Sequence, residues 1–171
     1  MAVNTERLFK LLNSRGVSGD ESEIRAVITE IVRPLCDDIT VDTMGNLFAH
    51  KKGSGKSNVR AMVCAHMDEV GLIVSWFRDD GLLEYDTVGG IDPRVLVSKR
   101  VKIGKSNVPG VIGAKAIHLQ SEAEYHSVLG HDRLHIDIGA SSAEEARKLV
   151  KLGDYVVFDT EPELFGDDCV C

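Results

Sequence analysis

The sequence predicts an α/β protein in which an α/β segment is followed by a β-rich, barrel-like domain. Helical periodicity extends over the first 35 residues, a nearly unbroken apolar run follows at residues 59–65, and short β-like runs begin at residue 71. With 171 residues, 43% hydrophobic and 27% charged, the chain has an ordinary globular composition. A length of this order allows one domain or two small ones, each with a buried core.

Two helices are predicted at the start of the chain. The first has leucines at helical spacing and is expected to end near Arg15, with Gly16 as a left-handed C-cap. Ser18 and Glu21 have the capping-box spacing S-x-x-E, which predicts a second helix running to Pro34. The apolar face of this second helix consists of Ile24, Val27, Ile28, Ile31 and Leu35.

Extended segments are predicted after the helices. Alternation at 39–41 and 47–49, with the turn Met44-Gly45-Asn46 between them, favours a β-hairpin. The run VRAMVCA at 59–65 has the length and apolar character of a central strand covered on both faces. We therefore expect a buried strand that ends at His66.

The β-rich part begins after a domain boundary expected near residues 70–72. Its β-like runs occupy 72–77, 82–88, 95–103, 108–116, 135–138 and 155–159. Such spacing is typical of a small barrel or sandwich. One helix is expected at 143–151, capped by Ser142 and Glu145.

Charge and cysteine usage exclude several classes of protein. Lys and Arg number 20 against 27 Asp and Glu, giving a net charge of -7, which is the wrong sign for a nucleic-acid partner. No apolar run approaches the roughly 18 residues of a membrane span. The start MAVNTERLFKLL lacks the apolar segment of a signal peptide, and the four cysteines lack paired spacing, so we expect reduced thiols and a cytoplasmic location. They are Cys36, Cys64, Cys169 and Cys171.

The segment AHMDEVG at 65–71 directly follows the predicted buried strand, where ligand sites form in open α/β sheets. Side chains two apart on an extended segment point the same way, so Asp68 can hydrogen-bond one imidazole nitrogen of His66 and leave the other for a metal. Taken alone, the H-x-D pattern more often marks an ordinary surface or capped histidine than a metal ligand.

Five motifs together carry a family resemblance. They are Ser18-Gly19, Asp42 with Gly45-Asn46, AHMDEVG, GGIDPR at 89–94 and HIDIGA at 135–140. The set resembles the tetrahedral or glutamyl aminopeptidases, metallopeptidase family forty-two, some of whose members are labelled endoglucanases. The resemblance implies a partial zinc-peptidase-like α/β catalytic domain, which in whole members binds two zinc or cobalt ions, with an inserted β-rich dimerisation domain. It implies the division 1–71, 72–161 and a return segment 162–171.

By this resemblance His66 is the first metal ligand and Asp68 is the catalytic-site carboxylate that orients it. The family's remaining ligands and its glutamate base follow the dimerisation domain, so the chain is expected to cover the first half of a member. Asp167 and Asp168 are not expected to be the bridging aspartate. Because a catalytic zinc needs about three protein ligands, we expect this chain alone to bind no catalytic metal and to be inactive. The expected partners are a peptide substrate and further copies of the chain, bound through the β-rich domain; the alternative is a non-catalytic dimerising fragment.

Other patterns have weaker functional interpretations. The segment 53–57 resembles a P-loop, but His50 stands where that motif requires glycine. His126, His131 and His135 could form a second metal site, although solvated loop histidines are the commoner case. Alternation requires that either Trp76 or Phe77 faces outward.

Overall fold

The computed structural model describes residues 4–55, 58–166 and 169–170. The chain divides into two compact units. The first unit comprises residues 1–69 and 161–171, and the barrel unit comprises residues 70–160. Among the described residues, no helix is both long and apolar enough to cross a membrane.

The first unit contains two helices and two small antiparallel hairpins. Its elements are α1 Thr5–Leu12, α2 Ser22–Val32, a 3-10 turn Arg33–Leu35, β1 Asp38–Val41, β2 Leu47–His50, β9 Leu164–Phe165 and β10 Cys169–Val170. The predicted hairpin at 39–49 is confirmed, because β1 pairs with β2 in antiparallel register from Asp38 opposite His50 to Val41 opposite Leu47.

Both predicted helix boundaries near residues 15–21 were wrong. Helix α1 ends at Leu12 and is followed by Asn13 in right-handed helical conformation, so Gly16 is not its C-cap. Gly16 is instead required for close packing, since a Cβ there would lie 2.7 Å from Cγ2 of Ile24. Helix α2 begins at Ser22 and has no side-chain cap, because the Glu21 carboxylate accepts from the backbone N–H of Gly19. The expected capping box does not form.

The predicted central strand at 59–65 is also absent. Residues 60–65 belong to no strand and are exposed, with Met62 and Val63 84% and 96% accessible. A strand is stabilised by the ladder it forms with its neighbours. The β1–β2 sheet has two strands only, so within the described residues this apolar run has no strand to pair with.

The barrel unit confirms the expected β-rich architecture. Its elements are β3 Gly71–Phe77, β4 Leu83–Val88, β5 Arg100–Ile103, β6 Val108–Ala114, α3 Glu122–Tyr125, β7 Leu134–Asp137, α4 Ala143–Leu149 and β8 Tyr155–Phe158. Six strands close into a barrel in the order β3-β4-β7-β6-β5-β8. Helix α4 has Ser142 as its N-cap, as predicted, with the hydroxyl accepting from the N–H of Glu145.

The core of the barrel unit consists of inward-facing aliphatic side chains. The fully buried ones include Leu72, Leu83, Leu96, Ile103, Ile112 and Ile136. A register shift between Val74 and Trp76 in β3 changes which side chain faces inward after that point. Phe77 is therefore buried, whereas Trp76 is 56% exposed.

Candidate functional site

The first unit presents His66 on a segment outside any helix or strand, with its side chain 86% exposed. Its Nδ1 lies 3.0 Å from the backbone carbonyl oxygen of Asp68 and 3.3 Å from Oδ1 of the Asp68 carboxylate. Both neighbours are acceptors, so Nδ1 carries the proton and Nε2 keeps its lone pair. Within the described chain, no hydrogen bond engages Nε2.

The Asp68 carboxylate is held from its other side by a serine. Oδ2 accepts a hydrogen bond of 2.5 Å from the hydroxyl of Ser18. This bond outweighs the opposing effect of burial and lowers the pKa of Asp68 below its ordinary value. Asp68 is therefore an anion that faces the Nδ1 side of the imidazole.

Backbone contacts fix the segment that carries both residues. Val17 and Glu69 form a parallel bridge. The N–H of Glu69 donates to the carbonyl oxygen of Gly16 at 2.7 Å, and the N–H of Ser18 donates to that of Glu69 at 3.4 Å. The loop that precedes α2 is thus joined to the segment that follows the exposed apolar run.

The donor set defines what this arrangement can hold. A histidine with one nitrogen oriented by acceptors and the other open is the usual geometry of a metal-ligating imidazole with its supporting carboxylate. Across the described residues, however, no group of three His, Cys, Asp or Glu side chains is placed to hold a metal ion. The residues present therefore fit one ligand of a metal site and do not form a complete site.

Among the four histidines of the barrel unit, His126, His131 and His135 do not form a second metal site. Nε2 of His131 lies 3.1 Å from the carbonyl oxygen of Ile91, and His126 packs edge-on against Tyr125. Nε2 of His135 lies 3.3 Å from Nη1 of Arg78. Burial, together with the Arg78 charge, lowers the pKa of His135. Each histidine is thus engaged separately.

The motif GGIDPR forms a tight turn in the barrel unit. Asp92 accepts from the N–H of Arg94 and is paired with its guanidinium, which lowers the pKa of Asp92 to about 2. Gly89 has a φ of +91°, and a Cβ at this position would lie 2.7 Å from Cγ1 of Val70. This segment has a structural role in turn formation.

The motif around Asp42 closes the β1–β2 turn. The Asp42 carboxylate accepts from the N–H groups of Met44 and Asn46. The Arg25 guanidinium donates to the carbonyl oxygen of Gly45 at 2.8 Å, which ties α2 to this turn.

Some residues named in the sequence-based hypotheses lie outside the described parts of the chain. These residues are Lys56 and Ser57 of the incomplete P-loop, Asp167, Asp168 and Cys171. Free thiols are present at Cys36, Cys64 and Cys169.

The contact that sequence reasoning missed is the one between Ser18 and Asp68. The S-x-x-E spacing assigned Ser18 to a helix cap, whereas its hydroxyl bonds a residue 50 positions further along. The Ser18-Gly19 pair belongs to the motif set that carries the family resemblance, and this was the available signal.

Comparison with known proteins finds relatives over most of this chain. The model of the M42 glutamyl aminopeptidase family matches residues 45–171. A putative aminopeptidase of Acetivibrio thermocellus is 42% identical over 172 residues, which cover 98% of this chain and 49% of that protein. The chain spans about half the length of the curated relatives it matches.

Solved structures resemble this chain over nearly all of its length. A TET aminopeptidase from a marine sediment archaeon of the Thaumarchaeota superposes with a TM-score of 0.88 at 32% identity, covering 96% of this chain and 47% of that chain. The TET1 peptidase of Pyrococcus horikoshii, described as assembling into a tetrahedron or a large octahedral shell, gives 0.81 at 38% identity and covers 95% and 48%.

Proposed function

The chain belongs to the M42 glutamyl aminopeptidase family, and we propose that it supplies the amino-terminal part of a metal-dependent aminopeptidase. The observation that carries this proposal is the pairing of His66 with Asp68, which leaves Nε2 of an exposed imidazole open. Peptidases of this family are metal-dependent. The proposed reaction is removal of residues from the amino ends of peptides, in line with the named activities of the relatives.

In this proposal His66 is a metal ligand and Asp68 orients it. A divalent ion, zinc or cobalt, would be held by Nε2 together with donors from the rest of a whole family member. Such an ion supplies Lewis-acid chemistry to peptide-bond hydrolysis when it is bound. The part of this chain is to present the imidazole in the correct tautomer and to keep a carboxylate anion behind it.

The 171 residues on their own are proposed to be inactive. One histidine cannot hold a catalytic zinc, which generally has three protein ligands. The described residues offer no third donor near His66. The remaining donors are therefore expected in the half of the relatives' length that this chain does not span.

Residues 1–71 are proposed as catalytic-domain sequence, 72–161 as a dimerisation domain and 162–171 as a return segment to the catalytic domain. The barrel between residues 70 and 160 is a compact unit with its own core, which suits it to association without the active site. Its strands are closed, so association would use side chains and not an open sheet edge. Trp76 presents an exposed aromatic ring for such an interface.

A non-catalytic dimerising fragment is the second candidate function, and the self-contained barrel favours it. The two candidate functions differ in whether the function requires His66. A cytoplasmic location is also proposed, because the thiols of Cys36, Cys64 and Cys169 are free and thiols persist in a reducing compartment.

The test joins the chain to the carboxy-terminal half of the Acetivibrio thermocellus relative and measures release of amino-terminal residues from short peptides with zinc or cobalt. We expect no activity from the 171 residues, activity from the joined protein, and loss of that activity in His66→Ala. His50→Ala is the matched control, since His50 lies at the end of β2 in the same unit and its side chain has no role in the proposed site. Full activity in the His66→Ala joined protein, or activity of the 171 residues alone, would refute the proposal.

A further inference from the structure

Ser18 occupies a place that the proposed function does not by itself explain. It lies in the loop between α1 and α2, and its hydroxyl bonds the Asp68 carboxylate and no group of the helix that follows. A serine just before a helix usually caps that helix through its side chain. Here the N-cap position is held by Glu21 without a side-chain bond. The hydroxyl is therefore committed to Asp68.

The hydroxyl and the imidazole use different oxygens of the same carboxylate. Ser18 Oγ donates to Oδ2, and Oδ1 is the oxygen that lies 3.3 Å from Nδ1 of His66. A carboxylate bonded on one oxygen loses rotational freedom about its terminal torsion, which is otherwise broad. The bond from Ser18 thus fixes the direction in which Oδ1 faces the imidazole.

The serine is itself held in place by the backbone. Val17, its neighbour, is 1% exposed and forms the parallel bridge to Glu69. The N–H of Ser18 donates to the carbonyl oxygen of Glu69, the residue that follows Asp68. Hydroxyl and backbone of the same residue therefore hold Asp68 and its neighbour simultaneously.

We propose that Ser18 is a positioning residue that acts through Asp68 to hold His66 as its Nδ1–H tautomer, with Nε2 presented for a metal. The link to a metal rests on the proposed function, whereas the positioning is a property of the metal-free chain. Ser18 does not touch the metal or the substrate in this proposal. Its whole effect passes through the carboxylate.

The test is nitrogen-15 NMR of the imidazole side chains in the metal-free 171-residue chain. In the wild type we expect His66 to show a protonated Nδ1 and an unprotonated Nε2 at a pH where the ring is neutral. In Ser18→Ala we expect both nitrogen resonances to shift toward the averaged values of a histidine that exchanges between tautomers. If Ser18 had only a structural role, a change in the ratio of the His66 tautomers would be accompanied by loss of the Val17–Glu69 bridge.

Two further variants keep the test decisive. Ser18→Thr retains a hydroxyl on Cβ and is expected to restore the wild-type His66 resonances. Ser14→Ala is the matched control, because the Ser14 hydroxyl donates to the carbonyl oxygen of Lys10 in the same unit and has no contact with Asp68. The amide resonance of Glu69 reports in each variant whether the bridge to Val17 persists.

The second measurement is the affinity of the joined protein for zinc, added as the only metal. Loss of a group that supports a metal-ligating histidine generally weakens metal binding about 10- to 100-fold, and Ser18→Ala is expected to fall in this range. An unchanged His66 tautomer in Ser18→Ala, with the Glu69 amide also unchanged, would overturn the positioning role whatever the enzyme does. A shifted tautomer combined with zinc binding that does not depend on His66 would instead overturn the proposed function and leave the positioning role standing.

Discussion

His66 is an exposed imidazole in which one nitrogen is oriented and the other is open. The backbone carbonyl oxygen and the carboxylate of Asp68 both face Nδ1, and together they favour the Nδ1–H tautomer. Ser18 and the Gly16–Glu69 bond keep these acceptors in place. In the proposed function, this organisation of the metal-free chain reduces the entropy that a bound ion must offset.

Replacing Gly16 by alanine is expected to loosen this organisation. The added Cβ would lie 2.7 Å from Cγ2 of the buried Ile24 and 3.2 Å from the carbonyl oxygen of Met67. Overpacking of this kind costs about 1–3 kcal/mol. The Glu69 amide donates to the Gly16 carbonyl oxygen. Its hydrogen exchange should become faster by the factor that corresponds to this loss of free energy.

Gly53→Ala is the matched control for this experiment, because a Cβ at Gly53 meets no atom within 4 Å. The Glu69 amide should exchange at the wild-type rate in that variant. Equal protection in the two alanine variants would contradict the packing argument.

Because of the phenol of Tyr85, we expect the protein to lose stability at high pH. Burial raises the pKa of Tyr85 from 10.0 to about 12, and its hydroxyl lies 3.5 Å from Nδ1 of His131. The folded state binds this proton more tightly than the unfolded state, so the contribution is fully present below pH 10 and is lost as the pH rises towards about 12. The urea midpoint of the wild type should therefore fall through this interval more steeply than that of Tyr85→Phe.

Tyr125→Phe serves as the control for removing a phenol, since the Tyr125 ring is exposed. Its midpoint should follow the wild type across the same interval. A Tyr85→Phe variant that follows the wild type as well would show that the Tyr85 proton is not linked to folding.

Contacts between residues near each other in sequence could be predicted from the sequence, whereas particular contacts between distant residues could not. The β1–β2 hairpin and the Ser142 cap of α4 depend on neighbours a few residues away. The Gly16 boundary was mispredicted because its reason is the approach of Ile24, which no local pattern announces. The approach of Asp68 to His66 was expected from their spacing of two residues, whereas the Ser18 contact spans 50 residues.

The apolar run at 59–65 likewise shows that a strand depends on its partners. Its composition is that of a buried strand, yet Met62 and Val63 are exposed because a strand needs a ladder on at least one side. An exposed apolar run of this kind is a site for association. In the proposed whole protein it would acquire partners from the half of the family length that this chain does not span.

Two alanine substitutions separate packed from exposed apolar residues. Ile112→Ala, in the barrel core at 0% exposure, is expected to cost about 2–5 kcal/mol, because a cavity remains where the side chain was. Met62→Ala, at 84% exposure, is expected to change the free energy of unfolding by less than about 0.5 kcal/mol. Urea unfolding of the two variants checks the difference.

The Met62→Ala chain should also bind less of a hydrophobic fluorescent dye than the wild type. In the joined protein, where we expect the 59–65 run to be covered, the same substitution should become destabilising. A cost for Met62→Ala in the 171 residues equal to that of Ile112→Ala would mean that the run is already packed.

On the scale of the whole molecule, the chain combines a self-contained barrel with a unit that holds one proposed metal ligand, His66. The closed six-stranded barrel buries a continuous aliphatic core, and its short strands and turns predicted a small barrel or sandwich without deciding between the two. The first unit contains the His66 arrangement but, among the described residues, no complete metal-binding group. Family membership and the half-length match are both in line with the proposal that the donors completing a site at His66 lie outside this chain.

The central claim is that Nε2 of His66 is a metal ligand in a site completed outside these 171 residues. Anomalous X-ray diffraction at the zinc edge, from crystals of the joined protein grown with zinc, tests this claim most directly. The account predicts a zinc peak about 2.0–2.1 Å from Nε2 of His66, with the Asp68 carboxylate facing Nδ1. A fully occupied zinc site in which His66 takes no part would contradict it.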